Sequence, residues 1–216
     1  GLHKSTAYRM VRTLEEERFL DLDRDTGNYH LGPAMYRVAF LANAHSELVR
    51  LARPHLLHLA EATGETAAIA VERDNSAVVV DRILTSNPFK PVFHVGEIHG
   101  LFGNSHGKIF MAFKSADERA RFFEQPLTPL TPNTVVDPIL YQRELDRIVA
   151  EGVAYDLEEE SLGFCGVSAP VWGPAGQLVA SLSVVAPRER FGYAEQRRYA
   201  DAVKEQAAAF SKELNP

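Results

Sequence analysis

Basic and hydroxyl side chains crowd the start of this chain. Lys4, Arg9 and Arg12 stand with Ser5, Thr6 and Tyr8 inside the first twelve residues, with no carboxylate among them. At helical spacing Ser5, Tyr8, Arg9 and Arg12 form one stripe, opposite an apolar stripe of Ala7, Met10, Val11 and Leu14. Guanidinium groups can read guanine edges and hydroxyls can bond phosphates, so the exposed stripe suits DNA. The solvated face of an ordinary surface helix fits the same pattern. A second set of reactive side chains lies downstream. Cys165 with His99 or His106 would make a nucleophile–base pair. His55 and His58, or His99, His106 and Asp156, would make metal ligands. No catalytic motif surrounds the cysteine and the metal spacing is weak, so a hydrolase and a metal sensor are the weaker alternatives. No catalytic residue, metal or cofactor is expected.

Bulk properties restrict the choices. The 216 residues carry a net charge of −6, with 45% hydrophobic and 24% charged side chains, the profile of a globular chain. Nucleic-acid contact must therefore be local. A lone cysteine rules out an internal disulfide and points to a reducing, cytoplasmic setting. The longest apolar runs, such as VASLSVVA at 179–186, are too short to span a membrane, and no signal peptide is visible.

The elements that position these residues follow from periodicity. A helix over 4–19 leads into FLDLDRDTGNYHLG, whose alternation around DTGN predicts a hairpin with Arg24 near its tip. Helical patterns follow from Pro33 and over 47–63, the second closed by Gly64 and interrupted by Pro54. TAAIAVER and SAVVVDRI around Asn75 predict another hairpin, and PVFHV at 91–95 a third strand. Helices are expected at 103–113, 116–125 and 137–152, the last on a stripe of Leu140, Leu145, Ile148 and Val149. Strands at 153–156, 165–172 and 177–186 and a helix from Ala194 to Leu214 complete an α+β chain with an antiparallel sheet. Asp156 opens an acidic run in which Glu158 and Glu160 read as a solvated loop. Ser183, in an apolar strand, needs a partner, which a neighbouring backbone would supply.

The run KSTAYRMVRTLEEERFLDLDRDTGNYHLG resembles the recognition helix and wing of the IclR (isocitrate-lyase regulator) family of bacterial winged-helix transcription regulators. Lys4, Ser5, Thr6, Arg9, Thr13, Leu14, Leu20, Tyr29, Leu31 and Gly32 fall in register. Arg18 departs from it, standing where the family usually has a helix-ending glycine. The resemblance implies supporting helices before residue 4 that this chain does not carry, so the chain alone is expected to bind DNA poorly. It continues through LARPHLLHLAEATGETAAIAV, LTPNTVVDP, EGVAYDLEEESLGFCGVSAPV and ASLSVVAP.

The implied architecture is a partial winged helix-turn-helix over 1–32, a linker helix over 33–47 and a GAF-like effector-binding domain over 48–216. The implied function is a ligand-responsive regulator, repressor or activator, acting as a homodimer or homotetramer on a DNA operator and sensing a small organic acid of carbon or aromatic catabolism. Lys4, Ser5, Thr6, Tyr8, Arg9, Arg12 and Arg24 are the expected DNA contacts. Asp156 matches a family residue that bonds the effector, and Ser183 one that points into the pocket. His99, Phe102, Asn104, Ser105 and His106 fall on the loop-to-helix segment ending in the Gly107–Lys108 motif. The family's pocket cysteine falls at Gly166, one residue beyond Cys165 and hence on the opposite strand face, so the pocket gains room there. Val185 replaces a family serine.

Overall fold

The computed structural model describes residues 3–35, 47–124 and 126–215. The chain divides into two compact units, Gly1–Arg50 and Leu51–Pro216. Of the expected linker helix, residues 33–35 are helical and 36–46 lie outside the described residues.

In the first unit, α1 (Lys4–Glu16) leads to the hairpin β1 (Leu20–Leu22) and β2 (Tyr29–Leu31), paired antiparallel. Asp23 builds its turn, accepting from Asp25 N at 2.9 Å and Thr26 Oγ1 at 2.7 Å. The apolar stripe of α1 is less covered than its periodicity predicts. Ala7 and Val11 are half-buried, but Met10 and Leu14 are 55% and 42% exposed. A three-residue strand packed on a thirteen-residue helix cannot cover the whole stripe. Arg18 has φ 60°, the left-handed conformation that glycine adopts without steric cost. Its carbonyl accepts from Ala34 N at 2.9 Å, and Gly32 presses on it so closely that no Cβ fits there.

The second unit is a six-stranded antiparallel sheet in the order β5-β4-β3-β8-β7-β6. Its strands are β3 (Thr66–Arg73), β4 (Ser76–Ile83), β5 (Ile98–Gly100), β6 (Ala154–Leu157), β7 (Phe164–Trp172) and β8 (Leu178–Pro187). The helices are α2 (Glu47–Thr63), α3 (Ser105–Ala112), α4 (Ala116–Phe122), α5 (Pro138–Glu151) and α6 (Tyr193–Glu213). Asp74 and Asn75 take positive φ in the β3–β4 turn, a conformation short polar side chains tolerate. Asp137 caps α5, Pro138 opens it, and Gly152 closes it in the left-handed conformation.

Helices α2 and α6 cover one sheet face and are tied by His55, whose ring bonds Gln206 at 2.9 Å and Glu213 at 3.2 Å. Cys165, Val167, Ala169, Leu182 and Val184 are buried in β7 and β8. The opposite face packs against α3 and α5 through Ile109, Phe110, Tyr141, Leu145 and Ile148. The buried stripe of α5 is therefore Tyr141, Leu145 and Ile148, whereas Leu140 and Val149 are exposed. The Tyr141 hydroxyl donates to the Leu101 carbonyl and sets that rotation.

The expected strand at 91–95 is absent. Pro91 has no N–H to offer a ladder, and its carbonyl accepts from Thr66 Oγ1. Residues 84–97 cross the sheet instead, with Phe89 stacked on Phe164. The third strand forms later, at Ile98–Gly100, against Ser76–Val78.

Lys108 of α3 is fully buried. Its ammonium bonds Glu144 of α5 at 2.8 Å, the Tyr155 carbonyl of β6 at 2.9 Å and the Glu159 carboxylate. Glu159 Oε2 is buried with no hydrogen-bond partner, so that carboxylate depends heavily on Lys108. Replacing Lys108 by methionine is expected to cost roughly 3–5 kcal/mol, because a buried carboxylate loses its counter-charge. The check is the urea midpoint at unchanged m value; a loss under about 1 kcal/mol would contradict the assignment.

Candidate functional site

The second unit encloses a cavity of about 430 Å³ between the sheet, the first turn of α3 and the segment crossing at 90–93. Its floor is Ala68, Val79, Gly166 and Val185, and its roof includes Lys90, Pro91, Val92 and Phe93. Strands β5 and β6 lie at opposite edges of the sheet. Yet His99 Nδ1 of β5 bonds Glu160 Oε1, just beyond β6, at 2.9 Å. The sheet is therefore curled, and this bond closes one wall.

The first turn of α3 is fixed by its own polar groups. Asn104 Oδ1 accepts from Gly107 N at 2.7 Å, while its amide donates to the Gly100 carbonyl at 2.9 Å. Those uses, with the Lys108 N–H donating to the Asn104 carbonyl at 3.0 Å, engage the backbone N–H groups of both Gly107 and Lys108 inside the protein. A Cβ at Gly107 would run into the Gly100 carbonyl and the Leu101 backbone, so only glycine lets the helix seat. Ser105 Oγ accepts from Ser168 Oγ at 2.7 Å, and His106 Nδ1 bonds Ser181 Oγ at 3.0 Å.

Electrostatics separate three titratable groups on the wall. Burial raises the Asp156 carboxyl to about 7, against the pull of the Glu159 N–H that donates to its Oδ1. Burial lowers His106 to about 3, with His99 adding to the shift, so its imidazole is neutral. His99 is raised, chiefly by its bond to Glu160, and Glu97 Oε1 stands 3.6 Å from its other nitrogen. The ring lies between two carboxylates, which favour its protonated form.

The structure brings His99, Asn104, Ser105, His106, Asp156, Gly166 and Val185 together on the wall. Two expected residues do not line it. Phe102 turns into the core beside Tyr141, ring centroids 6.1 Å apart. Ser183 shares the cavity face but is fully buried and donates to the Ala68 carbonyl at 3.5 Å. Gly166 adds little room, because a Cβ there would stand 3.0 Å from Ser105 Oγ.

The acidic run is not a solvated loop. Glu160 lines the cavity, Glu159 is buried on Lys108, and Glu158 accepts from Gly163 N at 2.8 Å. Lys90, Phe93, Glu97, Glu160 and Phe164 are wall residues that sequence reasoning missed; the strand expected at 91–95 and the solvated acids hid them. Cys165 faces away from the cavity, and burial pushes its thiol up to about 11, unsuited to nucleophilic chemistry. Among the described residues no His, Cys, Asp and Glu group could hold a metal ion, and no helix is long and apolar enough to cross a membrane.

On the first unit, Lys4, Ser5, Tyr8, Arg9, Arg12 and Arg24 are exposed and Thr6 is half-buried. Arg12 pairs with Glu16 at 3.0 Å and Ser5 Oγ bonds His3, whereas Lys4, Arg9 and Arg24 have no carboxylate partner among the described residues.

A recognition-type helix with a hairpin wing, in one chain with a curled sheet that encloses a cavity, is the make-up of a DNA-binding transcription regulator. Residues 41–212 match the model for the bacterial transcriptional regulator IclR C-terminal, and 1–24 that for the IclR helix-turn-helix domain. The chain belongs to the IclR family of DNA-binding transcription regulators and is not an enzyme. It is 34% identical to the HTH-type transcriptional regulator Rv1719 of Mycobacterium tuberculosis, over 94% of this chain and 77% of that protein. An IclR regulator from Alicyclobacillus acidocaldarius superposes with a TM-score of 0.86 at 26% identity, covering 100% of this chain and 87% of that one. An IclR homolog from Microbacterium hydrocarbonoxydans, solved with 4-hydroxybenzoate, has the same fold, with a TM-score of 0.80 at 23% identity over 99% and 86% of the two chains.

The Asp156 shift makes a signed prediction. Its folded value, about 7, lies above the ordinary aspartate value of 3.8. Between these the folded state holds the extra proton, so ionising Asp156 lowers stability as pH rises and the effect levels off above about 7. Asp156→Asn removes that dependence. Its stability relative to the parent chain is expected to increase with pH, by at most roughly 1.4 kcal/mol per unit, and to plateau near pH 7. Urea unfolding at pH 5, 6, 7 and 8 checks this; a difference independent of pH would count against it.

Proposed function

We propose that this regulator senses a small organic acid in the cavity and converts its presence into altered operator binding. The carrying observation is the cavity, whose apolar body is flanked by convergent polar groups, the usual composition of a small-molecule site. Val79, Val92, Phe93 and Phe164 suit a compact hydrocarbon or aromatic body. Lys90, Ser105, His106 and Asp156 supply polar contacts. The 4-hydroxybenzoate bound by the Microbacterium protein is a ligand of this size and chemistry.

In this reading residues 1–32 form the DNA-reading part, 33–47 the linker helix and 48–216 the sensing domain of a homodimer or homotetramer in the cytoplasm. Lys4, Ser5, Thr6, Tyr8, Arg9 and Arg12 meet the major groove and adjoining phosphates, with Arg24 on the backbone. Effector binding shifts the population between arrangements of paired heads, and a ligand that binds one arrangement better must favour it. The sign of regulation follows from which arrangement fits the operator.

A thermal-shift screen of organic acids against the chain is expected to return at least one stabilising compound. A mobility shift of the full-length protein on its own promoter region, with and without that compound, should then show sequence-specific binding that changes with ligand. Arg9→Ala is expected to weaken binding by about 5- to 150-fold, the equivalent of 1–3 kcal/mol for a lost base contact. Absence of specific binding under every condition would overturn the proposal.

A further inference from the structure

We infer that Lys90 is the residue that receives the ligand's carboxylate, and that the cavity selects a monocarboxylate over a dicarboxylate. This rests on the effector reading above and names the ligand class.

The charged groups on the cavity wall single out Lys90. Two side chains that can carry positive charge line the cavity, Lys90 and His99. The His99 ring is already engaged, with Glu160 at 2.9 Å on one nitrogen and Glu97 at 3.6 Å from the other. The nearby arginines are committed too. Arg190 bonds Glu65 at 2.5 Å, and Arg188 lies 3.4 Å from Glu158. Lys90 has no carboxylate partner among the described residues, and it is half-buried. A lysine on the cavity wall with no carboxylate already bound to it is the place where an incoming carboxylate gains most.

Lys90 also has a fixed setting. Phe89 stacks on Phe164 and its carbonyl accepts from Arg190 at 3.0 Å, while the Pro91 carbonyl accepts from Thr66. Both neighbours are anchored, so the Lys90 backbone is held over the cavity.

The rest of the wall sets the upper limit on ligand charge. Glu97, Glu160 and Asp156 line it, and His106 and Ser105 are neutral donors or acceptors. A ligand with one carboxylate on Lys90 places its other end among these groups. A hydroxyl or amide is accepted there, but a second carboxylate meets like charge with no free cation.

The test is calorimetric titration of the 216-residue chain with two matched triplets. One is 4-hydroxybenzoate, 4-hydroxybenzamide and 4-hydroxyphthalate; the other is 3-phenylpropionate, its amide and phenylsuccinate. At least one monocarboxylate should bind tenfold or more tighter than its amide and its dicarboxylate. Lys90→Met should abolish the preference for acid over amide while leaving amide binding unchanged, and Lys90→Arg should restore it. An acid preference that survives Lys90→Met, or a dicarboxylate that binds as tightly, overturns the inference. Stabilisation by neutral polyols such as glycerol, with no monocarboxylate binding, overturns it but leaves the effector reading standing. No response to acids, amides or polyols overturns both.

Discussion

The second unit depends on one buried charge. Lys108 carries its ammonium into a site with no solvent exposure, and three elements converge on it: α5 through Glu144, β6 through the Tyr155 carbonyl, and the turn after β6 through Glu159. Burying an ammonium is costly unless its donors are all met. Here three acceptors meet three donors, and the geometry follows from that requirement. With Glu159 held, its N–H reaches Asp156 Oδ1 at 2.7 Å and the neighbouring Glu160 reaches His99. The polar end of the cavity is thus fixed from behind, by a pair that does not itself touch the cavity.

The sheet's curl is the second consequence. An open antiparallel sheet has two edges, each an exposed row of backbone donors and acceptors. Here the edge strands β5 and β6 belong to opposite ends of the strand order but are bridged by His99 and Glu160. Closing the edges makes a concave space, and the roof segment at 84–97 covers it. Because charged side chains make the closure, the cavity acquires carboxylates in its wall. Their charge and the neutral state of His106 are outcomes of how the sheet closes.

Much of this was legible in the sequence, and the failures have physical reasons. Helix caps, turn residues and strand alternation act locally, so the helix at 137–152 and the hairpin around Asn75 read correctly. Strand period also placed Cys165 and Gly166 on opposite faces. The misreadings involve groups whose position is set by distant partners. Pro91 to Val95 alternate like a strand but cross the sheet as a roof. Glu158 and Glu160 look like a solvated loop until Gly163 and His99 engage them. Tyr141 is buried because the Leu101 carbonyl, forty residues earlier, accepts its hydroxyl. Arg18 shows the opposite case, since its φ of 60° is what its place in a glycine position would imply.

Alternation along β7 and β8 separates the frame of the second unit from its cavity wall. Val167, Ala169, Leu182 and Val184 are fully or almost fully buried and pack on the face away from the cavity, where a change in volume costs stability. Side chains on the other face sort by distance from α3. Ser168 and Ser181 lie under the helix and bond Ser105 and His106. Ser183 lies beside them and bonds the neighbouring backbone. Gly166 and Val185 lie past the helix start and meet the cavity. The line between structural serines and cavity-facing positions is drawn by where α3 begins, and the absence of a Cβ at Gly107 lets it begin so close to the β5–α3 loop. Substitution at 90, 166 or 185 changes the shape and charge of the cavity wall. Substitution at 107 or 108 changes whether there is a cavity with this shape at all.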